Sequence, residues 1–324
     1  MKTNIEKQAV FALIIATLIL GNIISGVNTQ SSGYEFDFKV GSKEGYKFKG
    51  FNQPLAITYD HNNDRIIVTD FWNNIVQVFD KNGNFLFRFG RCCNYDGEFV
   101  SPVGVAYDHN NDRILVVDNF SVNLKLQVFD KNGNFLFKVG ILNGKGVTYD
   151  HNNDRIIVSA SAHVEVLDKN GKYLFSFGRE GSGDGEFKEP FGIAYDHNYN
   201  RIMVVDSSNH RVQVFDKDGK FLFKFGKMGS GIGEFNDPLG IAYDHNHNRI
   251  IVVDLSNHRI QVFDANGKFL FSFGREGSGD GEFRYPFGIA YDHNHDRILV
   301  ADRRNNRIQV FDANGKFLFK IEGE

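Results

Sequence analysis

Short apolar runs separated by polar turns recur along most of the chain. In one copy, the apolar run Pro238–Asp244 ends at the turn 245–248, and the β-branched runs Arg249–Asp254 and Arg259–Asp264 follow, then the Phe-rich run Phe269–Phe273. Runs of this length, rich in β-branched and aromatic residues and bounded by Asn, Asp and Gly, are typical of β-strands. Each copy therefore predicts four strands.

The copies are aligned by a Tyr-Asp-His-Asn motif that occurs six times at spacings of 42 to 48 residues. The aspartates of the motif are Asp60, Asp108, Asp150, Asp196, Asp244 and Asp292. An Asn-Gly or Asp-Gly pair, which fixes a two-residue hairpin, joins the third and fourth runs of every copy. Its glycines are Gly83, Gly133, Gly171, Gly219, Gly267 and Gly315.

The fourth run of each copy places aromatic residues on one face of a strand. In the fourth copy Phe221, Phe223 and Phe225 alternate with other residues, so their rings share a face that one small sheet cannot bury alone. Radial stacking of six sheets buries these faces, and closure of the ring removes the exposed ends. The fold class predicted is all-β: a six-bladed β-propeller of four-stranded antiparallel blades.

Two further motifs recur in register in the last three copies. After the second run, Asp206, Asn209 and Arg211 have counterparts in the next two copies, and Gly-Glu-Phe-x-x-Pro precedes the first run, as at 185–190. These residues resemble the NHL repeat, and the resemblance extends from about Gly50 to the C terminus. From the residues themselves, the aspartate and arginine predict a charge-assisted pair that holds the loop between two strands.

The resemblance implies a six-bladed propeller used mainly as a binding platform. NHL propellers occur in tripartite-motif ubiquitin ligases, in receptor-like kinase sensor domains and in free-standing secreted proteins, and a few relatives are enzymes, notably the peptide-amidating lyase. The motif residues of that lyase do not transfer residue by residue onto this chain. The resemblance therefore assigns no catalytic residue here.

The first 29 residues predict a signal peptide. Lys2 and Lys7 precede the apolar run 9–20, and a small polar stretch follows, which is the layout of an export signal. We expect cleavage before a mature N terminus near 28–31 and an extracellular protein that does not insert into a membrane. An uncleaved anchor and a buried helix are the alternatives.

Residues 30–49 are interpreted as a linker with a closing strand, and residues 50–324 as the propeller. The pattern at 36–41 resembles a fourth strand, yet Phe317–Ile321 also completes the last blade, so two segments compete for one place. We expect the hairpin at Asn314 and Gly315 to place the C-terminal strand. The N-terminal strand is expected to pair alongside it, with exchange between molecules as the alternative.

Charge and composition exclude several classes of function. Lys and Arg number 37 against 40 Asp and Glu, a net charge of −3, which provides no field that attracts nucleic acid. Cys92 and Cys93 are adjacent and match neither a zinc site nor a redox motif, so they are candidates for a disulfide or for free thiols. Asn119 begins an Asn-Phe-Ser sequon, a candidate glycosylation site.

Six histidines occupy equivalent hairpin tips near the expected propeller axis: His61, His109, His151, His197, His245 and His293. Imidazole is a common metal ligand, but six symmetric positions do not bring three nitrogens within about 2.1 Å of one ion. The Gly- and Asp-rich links lack the carboxylate spacing of a calcium loop, and motifs for hydrolases or phosphate binding are absent. We therefore assign no cofactor, no metal and no catalytic residue.

The copies differ most in their loops, and divergent loops on one face are free to bind. The candidate partner-binding residues are Phe71, Trp72, Tyr95 and Phe120, and aromatic residues of this kind are enriched at interface hot spots. Decay of the repeat, with the rings folded into the rim, is the alternative. We expect a monomeric, non-catalytic platform for a protein or glycan, with an extracellular lyase or hydrolase, or a ubiquitin-ligase adaptor, as alternatives.

Overall fold

The computed structural model describes residues 50–93, 95–119 and 124–323. Over these residues the chain forms six four-stranded antiparallel sheets, each with its strands in chain order. The first strands of the six sheets neighbour one another in a closed ring, so the sheets are the blades of a propeller. The predicted fold class is confirmed.

The strand bounds repeat closely from blade to blade. Blades one and two contain β1 (Pro54–Asp60), β2 (Arg65–Asp70), β3 (Ile75–Asp80), β4 (Phe85–Phe89), β5 (Pro102–Asp108), β6 (Arg113–Asp118), β7 (Lys125–Asp130) and β8 (Phe135–Gly140). Blade three contains β9 (Val147–Asp150), β10 (Arg155–Ser159), β11 (Val164–Asp168) and β12 (Tyr173–Phe177), and the short strands β13 (Arg179–Glu180) and β14 (Glu186–Phe187) follow it.

Blade four contains β15 (Pro190–Asp196), β16 (Arg201–Asp206), β17 (Arg211–Asp216) and β18 (Phe221–Phe225). Blades five and six contain β19 (Pro238–Asp244), β20 (Arg249–Asp254), β21 (Arg259–Asp264), β22 (Phe269–Phe273), β23 (Pro286–Asp292), β24 (Arg297–Asp302), β25 (Arg307–Asp312) and β26 (Phe317–Ile321). Among the described residues, no helix reaches the length and apolarity needed to cross a bilayer.

The core consists of apolar layers between neighbouring blades. Between blades four and five, Val205 and Val214 pack with Ile241 and Phe263, and the outer-strand ring of Phe223 covers this cluster. The second strand of each blade is buried along its whole length, as in β16. The fourth strand alternates between half-buried rings and exposed residues, as in β18. The expected aromatic face of the outer strands is therefore packed against the next blade.

Blade six is completed by the C-terminal strand. Ile321 in β26 pairs with Ile308 in β25, and Glu322 accepts a hydrogen bond from the backbone N–H of Phe51 at 2.9 Å. Ile321 and Phe51 belong to one apolar cluster between the last and first blades. The expected strand at 36–41 and the expected signal peptide at 1–29 lie outside the described residues.

Glycines let the first strands approach each other around the axis. A Cβ atom at Gly192 would lie 2.1 Å from the carbonyl oxygen of Leu239 in the next blade, and one at Gly288 would lie 2.2 Å from that of Leu55. No real Cβ contact is that short, so these positions need glycine because of backbone proximity. The tight inner ring positions the channel described below.

Candidate binding face

The two ends of the propeller have different connections. Because the strands of a blade alternate in direction, the hairpins between first and second and between third and fourth strands leave at one end, the hairpin face. The loops between second and third strands leave at the other end with the links between blades. This loop face includes residues 71–74, 160–163, 207–210, 255–258 and 303–306, and the link segments 91–93 and 95–101.

In blades four to six the loop between second and third strands is organised by a buried aspartate. Asp206 is fully buried and accepts hydrogen bonds from Arg211 Nε at 2.8 Å and from Asn209 Nδ2 at 2.9 Å. The same arrangement surrounds Asp254 and Asp302. The predicted structural role of this pair is confirmed by these contacts.

The blade-one loop places its two aromatic residues differently. Trp72 is 48% exposed, whereas Phe71 is only 8% exposed, and their ring centroids lie 5.2 Å apart in an edge-on contact. The position of Phe71 is also buried where Ser207 and Leu255 occupy it. The expectation that Phe71 is a surface ring is therefore wrong, because the shared fold buries this loop position in regular blades too. Trp72 remains accessible.

Blade one also lacks the arginine of the regular loops, because Ile75 replaces it. The carboxylate of Asp70 instead accepts hydrogen bonds from the backbone N–H of Asn52 and from the amides of Asn73 and Gln77, all at 2.8 Å. Burial without a facing guanidinium raises the pKa of Asp70 to about 6. The loop beneath Trp72 is thus held by neutral donors.

The link before blade two presents Tyr95 to solvent. Tyr95 is 76% exposed, and its backbone carbonyl accepts a hydrogen bond from Lys125 Nζ at 3.3 Å. The link is fixed to β7 because Glu98 accepts a hydrogen bond from Gln127 Nε2 at 2.8 Å. Tyr95 therefore projects from an anchored segment, in a different blade from Trp72.

The adjacent cysteines of the same link are free thiols, and both residues are exposed. The backbone N–H of Cys93 donates to Phe99 at 3.1 Å. Local desolvation raises the pKa of the Cys92 thiol, and the neighbouring Cys93 adds to this effect. A raised pKa keeps the thiol protonated at neutral pH, which disfavours a nucleophilic role.

The candidate residue Phe120 lies outside the described residues. Asn119, the candidate glycosylation site, is half-buried, and its backbone N–H donates to the carbonyl of Ser101 at 3.0 Å. The structure thus fixes the backbone at the start of the sequon, at the end of β6.

A channel follows the propeller axis and has a cavity in each half. The cavity toward the loop face measures about 70 Å³ and the one toward the hairpin face about 150 Å³. Six β-branched residues of the first strands line both cavities, and we call them the waist: Ile57, Val105, Val147, Ile193, Ile241 and Ile289. Lys145 lines the loop-face cavity, and sequence analysis did not single it out.

The hairpin-face cavity is bounded by a closed ring of imidazoles. Each of the six hairpin-tip histidines contacts its two neighbours, with ring centroids 4.4 to 4.8 Å apart. The repeat pattern places these residues near the axis but does not show that their rings touch. Their identical offset in all six hairpins was the available signal.

Burial and mutual repulsion keep the six histidines of this closed ring neutral. The pKa falls to about 2 for His61 and His245, with burial as the largest cause and neighbouring histidines next. It falls to about 3 for His151 and His197. The Nδ1 atoms of all six are buried. These groups are therefore poor proton acceptors at neutral pH.

One group of three potential metal ligands has its atoms within 4.8 Å of one another in the described part of the chain: Asp244, His247 and Asp296. The Asp244 carboxylate already pairs with Arg249 Nη2 at 2.5 Å. Because a guanidinium neutralises this carboxylate, the group is an ion-pair network. The six hairpin-tip histidines do not bring three ligand nitrogens within 4.8 Å of one another.

Comparison with known proteins agrees with this fold. A family model described as 6-bladed beta-propeller, DUF5128, matches residues 56–124, 147–208, 194–260 and 243–322. The chain therefore belongs to this family of six-bladed β-propellers. No curated protein sequence matches it.

Several solved structures resemble the chain. An auxiliary nutrient binding protein from Bacteroides thetaiotaomicron has a TM-score of 0.62 at 16% identity, over 81% of this chain and 69% of that one. A chain of the Nidogen/Laminin complex has a TM-score of 0.59 at 16% identity, over 83% and 93%. Hydrazine synthase from Kuenenia stuttgartiensis has a TM-score of 0.58 at 10% identity, over 86% and 99%. At these identities the likeness concerns the fold.

Proposed function

We propose that this protein is a non-catalytic extracellular binding platform, which recognises a protein or a glycan through the loop face of blades one to three. The observation that carries the proposal is the exposure of Trp72. In blades four to six the same loop position holds Ser208, Ser256 or Arg304, so the shared fold does not require an indole there.

Tyr95 adds a second accessible aromatic side chain on the same face. A tryptophan and a tyrosine provide large rigid contact areas with a polar tip, and such residues dominate the energetics of many interfaces. Both side chains project from backbone that is anchored by hydrogen bonds, so little ordering entropy opposes binding.

Two comparisons support a binding role. The resemblance to NHL repeats, whose propellers are mostly binding platforms, extends from about Gly50 to the C terminus, and we propose that the chain is an NHL-type propeller. One structural neighbour is a nutrient binding protein. The neutral histidines and the Arg-paired aspartates also favour a role without acid–base catalysis.

The proposal is tested by capture of partners from culture medium and by a glycan array, each with the full exported chain. We expect Trp72→Ala and Tyr95→Ala to lose the partner that the native protein retains. Tyr173→Ala removes an aromatic ring of comparable exposure from the outer strand β12 and should retain it. Equal retention by all three variants would exclude these loops from the site.

A further inference from the structure

The loop-face mouth of the channel contains a buried lysine in a ring that is otherwise apolar. Lys145 is 2% exposed and directly precedes Gly146, just before the first strand of blade three. The other five blades place apolar residues there: Leu55, Val103, Phe191, Leu239 and Phe287. A buried ammonium is costly compared with an apolar side chain, so packing of the repeat does not explain this residue.

A chain of contacts links Lys145 to a second buried cation. Lys145 Nζ lies 5.6 Å from the ring centroid of Phe191, and Phe191 contacts the ring of Phe287 edge-on at 5.1 Å. Arg303 Cζ lies 5.8 Å from the centroid of the Phe287 ring. Two aromatic rings at the mouth therefore have a cation on each side.

Arg303 differs from the other loop-face arginines in its partner. Arg211 pairs with the carboxylate of Asp206, whereas Arg303 donates from Nε and Nη2 to the neutral amide oxygen of Gln53, at 3.0 and 2.8 Å. Arg303 is 5% exposed. Its charge is thus held in the protein by an amide rather than by an acid.

The carboxylate of Glu189 acts on Lys145 electrostatically and raises its pKa, which favours the charged ammonium form. Glu189 is half-buried and accepts a hydrogen bond from Ser208 Oγ at 2.9 Å. Burial lowers the pKa of Lys145 to about 8 and that of Arg303 to about 10, so both groups are largely cationic at neutral pH. The mouth therefore combines positive charge with aromatic surface.

We propose that this mouth is a binding site for a small organic carboxylate, whose anionic group meets Lys145 while its apolar part lies against Phe191 and Phe287. The cavity of about 70 Å³ admits one small group, and the waist bounds it on the inner side. The site goes beyond the proposed function because neither Trp72 nor Tyr95 lines it.

Benzoate and benzamide are suitable probes because they share a ring and differ in charge. We expect the full chain to bind benzoate with a Kd below about 10 mM in a calorimetric or NMR titration, as for a fragment-sized ligand. Benzamide should bind at least about tenfold more weakly, since it lacks the charge-assisted contact. Inorganic phosphate, which has no apolar part, should not displace benzoate.

Two variants introduce residues that the repeat itself uses at these positions. Lys145→Leu reproduces Leu239 and should weaken benzoate binding about tenfold or more. Arg303→Leu reproduces Leu255 and should weaken it less, because this cation lies beyond the Phe287 ring. Thermal unfolding of both variants checks that the fold is kept, and removal of a buried charge should not lower the Tm of Lys145→Leu.

Lys188→Leu is the matched control, since Lys188 is an exposed lysine in the link before blade four, and its benzoate affinity should equal that of the native chain. The proposal is overturned if the native chain does not bind benzoate, if benzamide or phosphate binds equally well, or if folded Lys145→Leu keeps the affinity. Trp72→Ala should bind benzoate normally, which separates this site from the proposed partner surface.

Discussion

The indole ring of Trp72 packs edge-on against the phenyl ring of Phe71, with centroids 5.2 Å apart. One ring of this pair is buried and the other is half exposed. Within one loop, Phe71 therefore packs in the core, whereas Trp72 is accessible to a partner. Their variants should separate stability from binding.

Phe71→Ala should lower the free energy of unfolding by about 3–5 kcal/mol, because it deletes a buried aromatic side chain. Trp72→Ala should have a much smaller effect on stability and should weaken partner binding by about 2 kcal/mol or more. Denaturant midpoints and partner affinities measured on both variants test this order.

Ser208→Ala, at the loop position of Trp72 in blade four, is the control and should change partner affinity little. A Trp72→Ala protein that unfolds at much lower denaturant than the native chain would show that the indole belongs to the rim. Normal partner binding by that variant would equally contradict the assignment.

Because the six hairpin-tip histidines are buried in neutral form, we expect the free energy of unfolding to fall in mild acid. The folded-state pKa values of about 2 to 4 lie below the ordinary 6.5, so the unfolded chain takes up protons first. The stability that the neutral histidines contribute is fully present well above pH 6.5 and decreases as the pH falls toward 4, by at most about 1.4 kcal/mol per pH unit for each histidine. Asp70, whose folded pKa is raised to about 6, opposes this by one proton.

His197→Gln should reduce the slope of unfolding free energy against pH by the contribution of one proton. Asn198→Ala removes hydrogen bonds to the next blade from the same hairpin. It should lower stability equally at all pH values and leave the slope unchanged. If the unfolding free energy of the native chain hardly changes between pH 6.5 and 4.5, the six histidines are not held neutral by the fold.

The buried ion pairs of the hairpin face should matter far more than exposed ones. Asp196 is fully buried and accepts hydrogen bonds from Arg201 at 3.0 and 2.6 Å, so Asp196→Asn leaves a buried guanidinium without its counterion, at a cost of about 3–5 kcal/mol.

Asp218→Asn breaks the exposed pair with Lys217 and introduces the residue that the other five blades use at this turn. It should change stability by less than about 1 kcal/mol. Urea denaturation compares the two variants, and equal effects would refute the assigned importance of the buried pair.

The inner ring should not tolerate side chains at its glycines. Gly192→Ala would place a Cβ atom 2.1 Å from the carbonyl oxygen of Leu239, and the resulting shift should cost about 3 kcal/mol or more. Gly140→Ala, whose added Cβ meets no atom of the described residues within 4 Å, should be neutral or slightly stabilising. Thermal unfolding measures both, and a fully stable Gly192→Ala would argue against the close approach of β15 and β19.

Local patterns predicted the fold because each blade is specified by short-range rules. The Asn-Gly pair at 314–315 fixes a hairpin through backbone conformation alone, and the alternation of Phe221, Phe223 and Phe225 marks one face of one strand. Both features act within a single blade, so six copies predicted six blades and the correct order of strands.

The candidate site was predicted less well because burial on the loop face depends on neighbouring blades. Phe71 looked like an extra surface ring, yet its position is inward in every regular blade. Lys145 was not singled out from the sequence, because only closure of the ring places it among apolar side chains with Phe191. The contacts between histidines likewise depend on the radius of the ring, which no single repeat specifies.

Trp72 is the one tryptophan of the chain, so its fluorescence reports directly on the proposed binding surface. The most direct measurement is the emission of the native protein during titration with a captured partner, together with the accessibility of the indole to iodide. We expect a blue shift and protection from quenching that saturate with binding. A partner that binds by an independent measurement while the emission and quenching of Trp72 stay unchanged would contradict it.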